Sequence, residues 1–270
     1  MNGILLQDFK PEEARIALDQ MHSEKALGPN CMTVGFYKKY WNTVGPDVTR
    51  LVLGFLNKGE CIQAINHTNL VLIPKIKNPS TLKDYRLISL CNVSYKIISK
   101  VLANRLKVIL LEIIDKSQSA FVQGRMIFDN IMVAHESVHS MMNKNSGGTE
   151  WLATKMDMSK AYDMVEWDYL ASIMRVMGFA SRWVDMIMAC VRTVTYSTVI
   201  NGRQWGHIIP SRGLRQGDPL SPYLFFIAAE GFLSLIKDSA KEGKLQGFVA
   251  TRNGPKVMNL FFADDCLIFC

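Results

Sequence analysis

The chain has 270 residues, the length of one large domain or two intertwined subdomains, and 49% of them are hydrophobic, which argues against wholesale disorder. Its formal net charge of +7 admits an anionic partner without naming one. The most apolar stretch, "YLFFIAAEGFLSLI", is short and carries Glu230 and Gly231, so it makes a poor membrane span.

Helical signals open the chain. "KPEEARIALDQM" places Pro11 beside an acidic first turn, which suits a helix start. "LGPNC" breaks the pattern, and "DVTRLVLGFLNKG" predicts a second helix ending near Gly59. "NLVLIPK" reads as a strand stopped by Pro74. In "SYKIISKVLANRLKVILLEII" the residues Ile98, Leu102, Leu106, Ile109 and Ile113 fall at helical spacing, with Lys96, Lys100, Asn104 and Lys107 along another side.

Between Val71 and Lys107 lie eight basic residues (Lys75, Lys77, Lys83, Arg86, Lys96, Lys100, Arg105 and Lys107) and one acid, Asp84. That stretch accounts for the whole net charge. A solvated surface explains such clustering, and so does a phosphate-binding patch.

"NKNSGGTE" predicts a turn or loop, "WLATKMDMS" a strand with Asp157 near its end, and "AYDMVEWDYLASIMRVMGF" a helix. Asn201-Gly202 between two strand-like runs is the strongest hairpin signal in the chain. "SPYLFFIAAEGFLSLIKDSAKEG" then predicts a helix capped by Ser221, with Pro222 in its first position and Gly243 at its end. The last run, "NLFFADDCLIFC", is strand-like. Helices first and acid-bearing strands alternating with helices later make an α+β protein. The six cysteines form no CxxC pair and follow no signal peptide, which points to reduced intracellular thiols.

"HESVH", from His135 to His139, matches the zinc-protease pattern HExxH. Zinc needs a third protein ligand. Met142 and Asn145 stand where a metzincin continuation needs Gly and His, leaving Glu150 and Glu166 as the conceivable third ligands.

Phosphoryl transfer offers another use for acids. Nucleotidyl transfer needs two Mg²⁺ about 4 Å apart. Mg²⁺ takes one or two protein carboxylates, with phosphates and water completing its shell. The expected signature is a few acids at strand ends converging from distant sequence. Asp157 ends one apolar strand and Asp264 interrupts another, and Asp264-Asp265 lacks the glycine that two-residue turns favour.

"FADD" at Phe262 to Asp265 resembles the catalytic signature of reverse transcriptases from non-LTR (LINE-type) retroelements, those of plants most closely. "INHTNLVLIPKIKNP", "YRLISLCNVSYKIISKVLANRL", "QSAFVQGRMIFDNI", "KMDMSKAYDMVEWDYL" and "GLRQGDPLSPYLF" agree with that family in order and spacing. The resemblance implies a right-hand polymerase fold: a helical N-terminal extension over 1–66, fingers and their connection over 67–150, and a palm over 151–270. It implies that Asp157 and Asp264 hold both metals, Mg²⁺ or alternatively Mn²⁺, with Asp265 in support and the Met158 carbonyl completing the nucleotide-side ion. Tyr162 would lie at the sugar of the incoming nucleotide, where a ring blocks a 2′-hydroxyl; without the motif it reads as a packed aromatic. Lys75 and Arg86 would clamp the triphosphate, and Gln216 and Gly217 would lie under the nucleotide and template base. Asp163, Arg125 and Asp218 serve structure equally well. Lys96, Lys100 and Lys107 would track the template–primer backbone. The implied partners are an RNA template, a DNA primer and deoxynucleoside triphosphates, with no membrane and an intracellular, nucleus-compatible setting.

The chain departs from the family at Leu87 and Leu27, where proline is usual, and at Cys31, where glycine is usual. The resemblance further implies a second hairpin strand, a lysine-bearing motif and a thumb beyond Cys270, so the chain alone is expected to be inactive or weak. The alternatives are a non-catalytic nucleic-acid-binding remnant and, third, the HExxH metalloprotease.

Overall fold

The structure, a computed structural model, describes residues 1–24, 26–120, 122, 124–143, 151–250 and 254–270. The loop expected at "NKNSGGTE" and the candidate ligand Glu150 lie outside the described residues. Helices come first. After α1 (Asn2–Leu5), α2 (Pro11–Asp19) begins on Pro11 with Glu12 and Glu13 in its first turn, favourable at the positive end of the helix dipole. Thr33 caps α3 (Val34–Lys39) by accepting the Phe36 N–H at 3.0 Å. α4 (Trp41–Lys58) starts earlier than the predicted Asp47, because it runs through Pro46, and ends at Gly59 with φ 73°.

β1 (His67–Pro74) and β2 (Tyr85–Cys91) form an antiparallel pair with Ile73 opposite Arg86 and Leu72 opposite Leu87. The ladder itself imposes on Arg86 the extended backbone that a following proline would favour. α5 (Val93–Ile113) buries Ile98, Leu102, Leu106 and Ile109 completely, as their spacing predicts. α6 (Ile127–Asn143), β3 (Ala153–Asp157), α7 (Trp167–Val176) and α8 (Ser181–Arg192) follow. The predicted hairpin joins β4 (Thr195–Ile200) to β5 (Arg203–Ile208): Asn201 and Gly202 take φ of 50° and 77°, as a type I′ turn requires. α9 (Ser221–Lys241), β6 (Phe248–Val249), β7 (Lys256–Val257), β8 (Asn259–Phe262) and β9 (Asp265–Phe269) complete the chain. None of the described helices is long and apolar enough to cross a membrane.

The chain divides into two compact units. Met1–Val108 and Tyr162–Phe225 form the first, around a four-stranded sheet of order β2-β1-β4-β5 in which β4 runs parallel to β1. Gly28 there approaches the backbone so closely that a Cβ would stand 2.4 Å from the Cys91 carbonyl oxygen. Cys31, three residues on, has φ 55°, the left-handed backbone that glycine adopts without cost.

Ile109–Ala161 and Phe226–Cys270 form the second unit, with an antiparallel sheet of order β3-β9-β8 and a short β6–β7 pair. Its core joins Leu233 and Ile236 of α9 to Phe261 and Cys266 of the sheet, and Met158 packs against them. Burial of Phe261 alone contributes on the order of 2–3 kcal/mol. One expectation is corrected here. The closing run is a complete hairpin that reverses at Ala263-Asp264, so the second hairpin strand expected beyond Cys270 is β9 itself. The reversal escapes the sequence because Ala263, not glycine, adopts the positive φ of 54°.

Candidate active site

The second unit's sheet gathers three carboxylates at one end. Asp157, last in β3, lies directly opposite Asp265, first in β9, which in turn faces Phe262. Directly opposed residues share a face of the sheet with Cβ atoms about 5 Å apart. Asp264 holds the second position of the two-residue turn, and its carbonyl accepts the Met158 N–H at 3.3 Å. Like charges placed opposite each other destabilise a sheet. Lys155, two residues before Asp157 and therefore on its face, offsets this with its Nζ 2.9 Å from Asp265 Oδ1. The Lys155 pKa is raised by that hydrogen bond and the Asp265 charge, and further by the charges of Asp157 and Asp264. All three carboxylates thus act on one ammonium.

The turn is held from outside the sheet. A residue with a Cβ pays about 1–2 kcal/mol for left-handed backbone, and Ala263 is fixed there by Gln118, which is 1% exposed. The Gln118 Oε1 accepts the Ala263 N–H at 3.1 Å, and its Nε2 donates to the Ala263 carbonyl at 3.5 Å. Asn130 donates to the carbonyls of Phe261 (2.8 Å) and Ser117 (3.0 Å), securing the outer edge of β8. Neither residue emerges singly from the sequence. Both sit in "QSAFVQGRMIFDNI", whose residues 121 and 123 lie outside the described ones. Arg125, from the same stretch, is structural: its guanidinium donates to the carbonyls of Ile114 (3.0 Å), Gln118 (2.7 Å) and Asp115 just past the end of α5.

Among the described residues no group of three or more His, Cys, Asp or Glu side chains is arranged as a metal cage. The donor set nevertheless fits Mg²⁺, which needs only one or two carboxylates and takes phosphate and water for the rest. The Met158 carbonyl accepts the Ala161 N–H at 3.1 Å and keeps a second lone pair.

The first unit holds the other expected residues. Gln216 and Gly217 form a loop against β2, with the Ser89 N–H donating to the Gln216 carbonyl at 3.0 Å. Gly217 has φ 98°, so a side chain there is strained, although the Ser89 oxygen, 3.4 Å from where its Cβ would stand, is only at ordinary contact distance. The loop is anchored on both sides by a buried ion pair that the sequence did not single out as such: Arg215 Nη2 lies 3.1 Å from Asp218 Oδ2, both side chains under 5% exposed. Asp218 also accepts from the Tyr95 hydroxyl (2.8 Å), the Leu220 N–H (3.0 Å) and the Ser99 hydroxyl. Arg215 donates to Asn66 Oδ1 (2.6 Å) and the Cys190 carbonyl (3.0 Å), with its guanidinium 3.9 Å from the centre of the Tyr95 ring. Tyr162 stacks on Phe225 at 5.2 Å between ring centres, and its carbonyl accepts the Leu214 N–H at 2.8 Å. Lys75, just past the end of β1, and Arg86, in β2, are exposed, with Lys75 Nζ donating to the Lys83 carbonyl at 3.1 Å.

Residues 73–270 match the family model described as reverse transcriptase (RNA-dependent DNA polymerase). The chain belongs to the reverse transcriptase family. It is 30% identical over 257 residues to the transposon TX1 uncharacterized 149 kDa protein of Xenopus laevis, covering 95% of this chain and 19% of that one. With the retrovirus-related Pol polyprotein from type-1 retrotransposable element R2 of Nasonia vitripennis it shares 27% identity over 245 residues, 90% of this chain and 22% of the relative. A 67-residue stretch is 48% identical to the uncharacterized mitochondrial protein AtMg01250 of Arabidopsis thaliana, 25% of this chain and 55% of that protein. The reverse transcriptase chain therefore spans about a fifth of the length of the two retroelement proteins.

Its basic stretch is not one surface. Arg105 is interior, paired with Glu13 at 2.7 Å and donating to the carbonyls of Leu5 (3.0 Å), Gln7 and Asp8 (3.1 Å). Burial alone would raise the Glu13 pKa, but the Arg105 hydrogen bond, the Lys10 N–H and nearby positive charge hold it below the usual value. Lys96, expected on an open basic face, is 6% exposed, because α5 is enclosed along most of its circumference. Lys100 is half-buried, and Lys107 is exposed with Nζ 5.7 Å from the centre of the Tyr223 ring. The HExxH histidines stack one turn apart on α6, ring centres 6.2 Å apart, with Asn143 Nδ2 3.1 Å from His139 Nε2. Glu166, a candidate third ligand, pairs with Arg212 at 3.0 Å.

Proposed function

We propose that this chain is the RNA-directed DNA polymerase region of a non-LTR retroelement of plant type, extending a primer 3′-hydroxyl with deoxynucleotides on an RNA template. The observation that carries the reading is the register of β3 on β9, which sets Asp157 against Asp265 beside the turn residue Asp264. The similarity to the TX1 and R2 proteins supports a retroelement origin, and the Arabidopsis thaliana match supports the plant lineage.

In this reading residues 1–66 are a helical extension, 67–150 the fingers and their connection, and 151–270 the palm. Asp157 and Asp264 hold two Mg²⁺, or Mn²⁺, with the Met158 carbonyl as a further oxygen ligand and Asp265 in support. The ions, when bound, lower the pKa of the attacking hydroxyl and offset charge on the leaving pyrophosphate. Lys75 and Arg86 bind the triphosphate, Arg86 through its forked donors. Tyr162 excludes a 2′-hydroxyl, its ring held by stacking on Phe225. Gln216 and Gly217 support the nucleotide and template base on the loop that Arg215 and Asp218 anchor. Lys100 and Lys107 neutralise backbone phosphates.

RNA-templated primer extension tests this. Incorporation that requires Mg²⁺ and falls at least about a hundredfold on Asp157→Ala is expected. Salt-sensitive RNA binding with no incorporation, unchanged by Asp157→Ala, would instead identify a non-catalytic nucleic-acid binder.

A further inference from the structure

Adjacent aspartates at a turn pose a chemical question: what makes one a metal ligand and leaves the other aside? Asp265 is engaged, with Lys155 Nζ 2.9 Å from its Oδ1. Neither Asp157 nor Asp264 has an ion-pair partner within that range among the described residues. The Lys155–Asp265 pair does little for folding, since its side chains are 68% and 49% exposed and solvent-exposed pairs contribute little. Its position is nonetheless specific. Lys155 shares a sheet face with Asp157, which lies directly opposite Asp265.

Resting on the reading of Asp157 and Asp264 as metal carboxylates, we propose that Lys155 sorts the three acids: it neutralises Asp265, reserves Asp157 and Asp264 for the divalent cation, and sets that cation's affinity. Lys155 is thus a positioning residue. A unit positive charge about 6 Å from a dication opposes its binding by a factor on the order of ten even at the dielectric of water. Without Lys155 the site holds three uncompensated carboxylates, and Asp265 becomes free to join the metal's shell. The consequence for the proposed chemistry is a weaker metal site in the empty chain, completed when triphosphate oxygens supply the missing charge.

Mn²⁺ titration of the whole 270-residue chain without nucleotide, followed by electron paramagnetic resonance, decides the matter. Lys155→Met is expected to tighten the Kd about tenfold, and Lys155→Arg, which keeps the charge, to leave it near the wild-type value. Asp265→Asn, which strips Lys155 of its counter-charge, is expected to weaken the Kd about tenfold alone and at least about fivefold more than that in the Lys155→Met background, where Asp265 would otherwise join the metal's shell, a coupling read by the double-mutant cycle. A Kd indifferent to Lys155→Met, or an equal cost of Asp265→Asn in both backgrounds, overturns the inference while leaving the site intact. If Asp157→Asn fails to weaken Mn²⁺ in either background, the carboxylate site itself falls, and this inference with it. Lys155 is exposed, so circular dichroism melting confirms that each variant is folded.

Discussion

Asp218 shows how a single side chain in this molecule is committed to structure. It accepts hydrogen bonds from Tyr95, Leu220 and Ser99 while facing the buried Arg215 guanidinium. Removing one member of such a pair leaves the other charge buried and uncompensated. Asp218→Asn is therefore expected to lower unfolding stability by about 3–5 kcal/mol in urea denaturation; a loss under about 1 kcal/mol would show that Arg215 is not held by that charge. Residues of this kind are poorly legible in sequence. "GLRQGDPL" announces a loop, but only the three-dimensional neighbours Tyr95 and Asn66 show that its Arg and Asp point inward. Arg105 and Lys96 carry the same lesson, since a count of charges cannot distinguish a buried cation paired with Glu13 from one offered to phosphate.

Among the elements, the two hairpins contrast instructively. Asn201-Gly202 is readable because both residues suit positive φ, and the strands pair where the sequence places them. Ala263-Asp264 is not readable, because its strained first position is stabilised by a distant side chain, Gln118, and not by its own chemistry. Helices α2 and α5 were legible through capping and periodicity, whereas the start of α4 was hidden by Pro46. For the β8–β9 hairpin, Gln118→Leu removes both side-chain bonds to the half-buried Ala263 backbone, at a cost of about 1 kcal/mol. Hydrogen exchange is expected to speed at the Ala263 amide at least about tenfold while β1–β2 amides keep their protection. Unchanged exchange at Ala263 would mean that the turn holds its strain alone.

At the scale of the whole molecule, the first unit is assembled from Met1–Val108 and Tyr162–Phe225, and the second from the segments between and after them. The parallel pairing of β4 on β1 that draws distant segments into one sheet leaves no trace in local periodicity. The acids proposed for the site are singled out in the sequence by family motifs and metal chemistry alike, and the register adds which of them stand opposite each other. The chain also contains a rival metal motif in the stacked His135 and His139 of α6. One titration separates the two: Mn²⁺ binding to the whole chain compared across Asp157→Asn, Asp264→Asn and His139→Ala. The expected result is a Kd at least about tenfold weaker for each aspartate variant and unchanged for His139→Ala. Binding that survives both aspartate substitutions and disappears with His139→Ala would contradict the assignment of the site.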